Sequence, residues 1–107
     1  MIGLFFLYIN FLVAQDQRVA DSLKIIYDQG ILKDSAKLEL LKQLSFNEIN
    51  DYNLAIKFSE ELITLSKLAK NDTYLFHGYY SIGNKYKSMG ELDKALTLFF
   101  RSAEVAD

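Results

Sequence analysis

From Asp16 onward the apolar residues recur at spacings of three and four, the period of an α-helix. Val19, Leu23, Ile26 and Tyr27 form a first stripe, which Gly30 terminates, because glycine readily adopts the left-handed conformation that ends helices. Leu38, Leu41, Leu44 and Phe46 form a second, opened by Asp34 or Ser35 as N-cap. After the polar break Asn50-Asp51, the positions Leu54, Ile56, Phe58, Leu62, Ile63, Leu65 and Leu68 predict one long helix. Asn71-Asp72-Thr73 supplies the next break and cap. Tyr74–Met89 then reads as a helix crowded with aromatics, ended by Gly90, and Glu91–Ala106 as a fifth. Few segments alternate with period two, so the expected fold class is all-α. Short breaks between helices favour antiparallel hairpins.

The first 14 residues break this pattern. Met1–Ala14, MIGLFFLYINFLVA, holds no charged side chain and has no polar stripe. A membrane-spanning helix needs about 20 apolar residues. The run matches the apolar region of a secretory signal, with cleavage expected after Ala14, although no Lys or Arg precedes it. A short uncleaved membrane anchor is the alternative. The expected division is therefore a leader at 1–14 and a helical domain at 15–107, in a protein that is exported or anchored at a membrane.

Composition narrows the chemistry. With 12 Lys and Arg against 14 Asp and Glu the net charge is −2, which gives no nucleic-acid footprint. The absence of cysteine excludes disulfides, iron–sulfur clusters and thiol catalysis, and a single histidine leaves no set for structural zinc. His77, the only histidine, stands alone on a helix. Glu60-Glu61 and the Glu39/Glu48 pair read as solvated faces, with Glu61 four residues from Lys57. No catalytic residue, cofactor or metal is expected, and membrane contact only through the leader.

Residues 79–101, YYSIGNKYKSMGELDKALTLFFR, resemble a tetratricopeptide repeat: Tyr79, Ile82-Gly83, Tyr86, Gly90, Ala95 and Phe99 fill that family's signature places in order. The resemblance implies that Gly83 and Ala95 are small where two helices of a hairpin cross, that Tyr86 and Phe99 fill the space beside them, and that Gly90 makes the turn. A degenerate copy at about 35–70 lies 40 residues upstream, with Phe46 for Tyr86, Asn50 for Gly90, Tyr52 for Leu92, Ala55 for Ala95, and Gln43 in place of the small Gly83. The better copy spans about 74–107. The family's period is about 34 residues. The implied architecture is a short α-solenoid of about five helices.

In that family the first helix of each hairpin lines a concave groove, which implies a protein or peptide ligand bound by His77, Tyr80, Asn84, Lys87 and Ser88. An asparagine amide there pairs with the N–H and C=O of an extended peptide, and Lys87 attracts a carboxylate. The corresponding upstream positions, Lys37, Leu40, Leu44, Asn47 and Glu48, complete no basic clamp. The last helix keeps an apolar face, Leu92, Leu96, Phe99, Phe100 and Ala103, suited to a further repeat or to self-association. The succession DSLKIIYDQG, KLELLKQL and Asp51–Leu62 also resembles the sensory N-terminal regions of Bacteroidetes signalling proteins, where such repeats precede a cyclase, histidine kinase or DNA-binding output domain. That resemblance implies an alternative role as a regulatory segment.

Overall fold

The computed structural model describes residues 15–106; the leader expected at 1–14 lies outside them. The described chain forms five helices and no strand: α1 (Gln17–Gln29), α2 (Asp34–Asn47), α3 (Tyr52–Leu68), α4 (Asp72–Ser88) and α5 (Leu92–Ala106). Each packs on its successor, and α2 also touches α4, so the helices stack as a small solenoid-like array. The all-α expectation holds.

Local chemistry explains most of the boundaries. The side chains of Asp16, Asp51 and Asn71 each accept a hydrogen bond from a backbone N–H in the first turn of α1, α3 and α4. Gly30 closes α1 at φ 67° and Gly90 closes α4 at φ 81°. The start of α2 differs from expectation. Lys33 occupies the N-cap with no side-chain bond, and Asp34 sits at φ 57° inside the first turn rather than capping it. Asn50 does not play the part of Gly90 either. The residue that does is Lys70, at φ 53°: Asn71 N donates to Ser66 O and Lys70 N to Lys67 O, as Glu91 N donates to Tyr86 O and Gly90 N to Lys87 O. The shared turn therefore joins α3 to α4 and α4 to α5, whereas α2 leaves through the extended Glu48.

The core lies between α2 and α3, where Leu38, Leu40, Leu41 and Leu44 meet Phe58 and Leu62, with Leu23, Tyr27, Leu32, Leu54, Leu65 and Tyr74 around them. Burying each large apolar side chain contributes roughly 1.5–3 kcal/mol, so these six hold the first hairpin. In the second hairpin a methyl on Gly83 would stand 2.8 Å from a Phe99 ring carbon and 3.4 Å from the Ala95 carbonyl. The two helices cross there as the small residues predict. Four residues of the expected apolar stripes are not core. Leu68 projects into solvent, Phe46 is exposed on α2, and Val19 and Ile26 lie at the edge of α1, whose buried residue is Ala20.

Five of the six buried positions of α2 overlay those of α4 with a shift of 38 residues: Leu40, Leu41, Leu44, Ser45 and Asn47 against Gly78, Tyr79, Ile82, Gly83 and Lys85. The second hairpin helices α3 and α5, by contrast, start 40 residues apart. Ser45, not Gln43, is thus the small counterpart of Gly83. The two-residue difference is absorbed where α2 ends early and the chain runs extended to Asp51.

Candidate binding groove

Side by side, α2 and α4 present one mixed polar and aromatic face. On α4, His77, Tyr80, Asn84 and Lys87 follow one another at helical spacing; His77 and Asn84 are half-buried, Tyr80, Lys87 and Ser88 exposed. The expected residues are therefore together on one face. Their aromatic part is continuous: the His77 ring meets Phe76 edge-on at 5.4 Å, Phe76 stacks on Tyr80 at 5.8 Å, and Tyr80 lies 5.6 Å from Phe99 of α5.

The facing positions on α2 are not those expected. Leu40, Leu44, Asn47 and Glu48 are buried, and Lys37 turns to the other side, where it pairs with Glu61 at 3.5 Å. With the shift of 38, the residues that correspond to His77, Tyr80 and Asn84 are Glu39, Lys42 and Phe46, and the first two lie close enough to His77 to act on its charge. Glu39 and Lys42 form an ion pair at 3.6 Å, and Glu39 also borders the Tyr74 hydroxyl, whose pKa is raised by burial and by that carboxylate. Burial holds His77 below its ordinary value; Lys42 pushes the same way and Glu39 opposes it. His77 is therefore held neutral, a two-way hydrogen-bonding group rather than a cation.

Behind the groove lies a polar junction that the helical pattern does not disclose. Lys85 of α4 is 1% exposed, and its ammonium donates to the Phe46 carbonyl at the C-terminal end of α2 at 3.3 Å. Burial pushes its pKa below the ordinary 10.5, against the attraction of Glu48. Glu48, expected in solvent, is buried and accepts from the N–H groups of Asn50 and Asp51 and from the Gln17 amide. The Gln17 oxygen in turn accepts from the N–H groups of Ile49 and Asn50, and Asp16 N donates to the Asn47 side chain. These bonds fix the start of α1 and the extended α2–α3 connection against the foot of α4. In sequence, Gln17, Glu48 and Lys85 read as ordinary surface residues. Only the apolar neighbours of Lys85 at three and four residues signal burial.

Glu61 likewise leaves its expected partner Lys57. Its carboxylate accepts from the Tyr27 hydroxyl at 2.7 Å, which pushes the tyrosine up to about 12. A cleft of about 440 Å³ opens beside it, lined by Lys24, Tyr27, Lys57, Phe58 and Glu60, and another of about 670 Å³ lies at the Leu32–Leu68 end of the array. Neither includes the α4 groove residues. Among the described residues no group of three or more His, Asp and Glu is placed to hold a metal, and no helix is long and apolar enough to cross a membrane. Compared with protein-family models, curated proteins and solved structures, the chain matches none.

Proposed function

We propose that the chain is an exported, non-catalytic interaction module of the tetratricopeptide type, whose α2–α4 groove holds an extended protein segment. The direct contact of the alternate helices α2 and α4 carries this reading. It brings hydrogen-bonding, aromatic and charged side chains from two helices onto one face. On that face Tyr80 supplies a rigid exposed ring, Asn84 a donor and an acceptor for peptide backbone, and Lys87 a cation at one end. Neutral His77 and the Glu39–Lys42 pair set the polarity of the other end.

The test is a titration of the ¹⁵N-labelled chain with extended peptides bearing either a free or an amidated C-terminus. Amide shifts are expected to cluster at Tyr80, Asn84 and Lys87, and Asn84→Ala to weaken binding about tenfold, the loss of two backbone hydrogen bonds. A preference for the free carboxylate would place it at Lys87. Peptides that bind without moving this face, or none binding at millimolar concentration, would overturn the assignment.

A further inference from the structure

The outer face of α5 carries Leu92, Leu96 and Phe100 at successive four-residue steps, 64, 55 and 63% exposed. Three large apolar side chains in line on one helix form a stripe rather than scattered exposure. The array shows what an added helix would cover. Forty residues earlier, on α3, the matching positions are Tyr52, Ile56 and Glu60. With α4 packed in place only Ile56 is buried, while Glu60 and Tyr52 stay in solvent. A succeeding hairpin would therefore account for an apolar Leu96, but not for Phe100 where α3 has Glu60.

The flanking charges indicate what does. Glu91 and Lys94 pair with each other at 3.3 Å, and Lys94 lies over the Tyr86 ring, so both are engaged within the chain. Asp93 and Arg101, each next in sequence to an end residue of the stripe and so on one side of it, take part in no ion pair among the described residues. They are eight residues apart, as are Leu92 and Phe100. A two-fold axis through Leu96 sets α5 antiparallel to its own copy and brings like flanks together. Leu92 then meets Phe100 of the second copy, Leu96 meets Leu96, and each Asp93 comes within about 3 Å along the axis of the opposite Arg101, from a rise of 1.5 Å per residue.

We infer that the outer face of α5 is a self-complementary interface between two copies of this chain, packed antiparallel about Leu96, with Asp93 and Arg101 setting the register. The interface is independent of the groove reading. One helix face on each side makes a small interface, so the dimer is expected to be weak and concentration-dependent.

The chain lacks cysteine, so single introduced thiols report the geometry in the full-length protein. Bridging requires Cα atoms about 4.4–6.8 Å apart. Under mild copper oxidation Leu96→Cys is expected to form disulfide dimers at least tenfold faster than Thr64→Cys on the exposed side of α3. Leu92→Cys and Phe100→Cys should cross-link quickly when mixed and slowly alone. All variants share residues 1–14, so clustering driven by that segment would accelerate the Thr64→Cys control equally. In sedimentation, Asp93→Arg is expected to weaken dimerisation about tenfold, and the exchange Asp93→Arg with Arg101→Asp to restore it. Leu96→Cys no faster than the control would overturn the interface. Leu92→Cys cross-linking readily by itself, or a charge exchange that fails to restore association, would overturn the antiparallel register.

Discussion

Lys85 is a charged group taken almost wholly out of water, with one hydrogen bond and no carboxylate within ion-pair distance among the described residues. Its desolvation outweighs the attraction of Glu48, since its pKa falls below 10.5. The sign of the linkage follows. A base whose folded pKa is depressed gives up its proton while the unfolded chain still holds one, so between those two values stability rises with pH. Lys85→Met keeps the volume, removes the buried charge and leaves Glu48 with its three N–H donors. We expect the variant to be more stable than the parent by about 1 kcal/mol at pH 7, and the gap to close as pH approaches 10. Urea midpoints at both pH values check this. A variant less stable at pH 7 would mean that the bond to the Phe46 carbonyl outweighs desolvation. Residue identity alone does not disclose this environment, because lysine buried at one position and solvated two residues later, as at Lys87, looks the same in sequence.

Among the elements, α1 is the most lightly held: it buries only Ala20 and is otherwise attached by Leu23 and Tyr27 along one side and by the Gln17 amide at its start. Gln17→Ala removes bonds to two backbone N–H groups and to Glu48, together about 1–2 kcal/mol. Hydrogen exchange is expected to show the amides of α1 losing protection about tenfold, with those of α3 and α4 unchanged. A uniform loss across all helices would show that α1 belongs to the same cooperative unit. Most element boundaries were legible because Gly30, Gly90, Asp51 and Asn71 act through their own backbone and side-chain chemistry. The turn at Lys70 was not. Lysine has no preference for positive φ, and that conformation is imposed by the bond from Asn71 N to Ser66 O and by the packing of α4 on α3. Asp34 is a similar case, an apparent cap whose backbone is instead left-handed.

Across the whole molecule, legibility divides between one helix and two. His77, Tyr80, Asn84 and Lys87 could be assigned to a common face because the helical period fixes it without tertiary information. Their counterparts Glu39, Lys42 and Phe46 could not, because carrying a 40-residue shift from α3 and α5 back to α2 ignores the connection that shortens it to 38. The same stacked arrangement governs stability. In an array whose hairpins touch mainly their neighbours, cooperativity resides in the interfaces. The α3–α4 interface joins the two hairpins and is close: a methyl on Gly78 would stand 2.7 Å from Ile63 Cγ1 and 3.5 Å from Leu62 Cγ. Leu62 is fully buried and belongs also to the α2–α3 core. Leu62→Ala should cost about 3 kcal/mol, against roughly 5–15 kcal/mol for a domain of this size. If the hairpins are coupled units, the variant loses more than stability. Its denaturant transition should broaden, with a lower m-value, and far-ultraviolet circular dichroism and tyrosine fluorescence should cease to coincide. A midpoint shift at unchanged m-value, with both probes still coincident, would instead mean that the five helices share a single indivisible core.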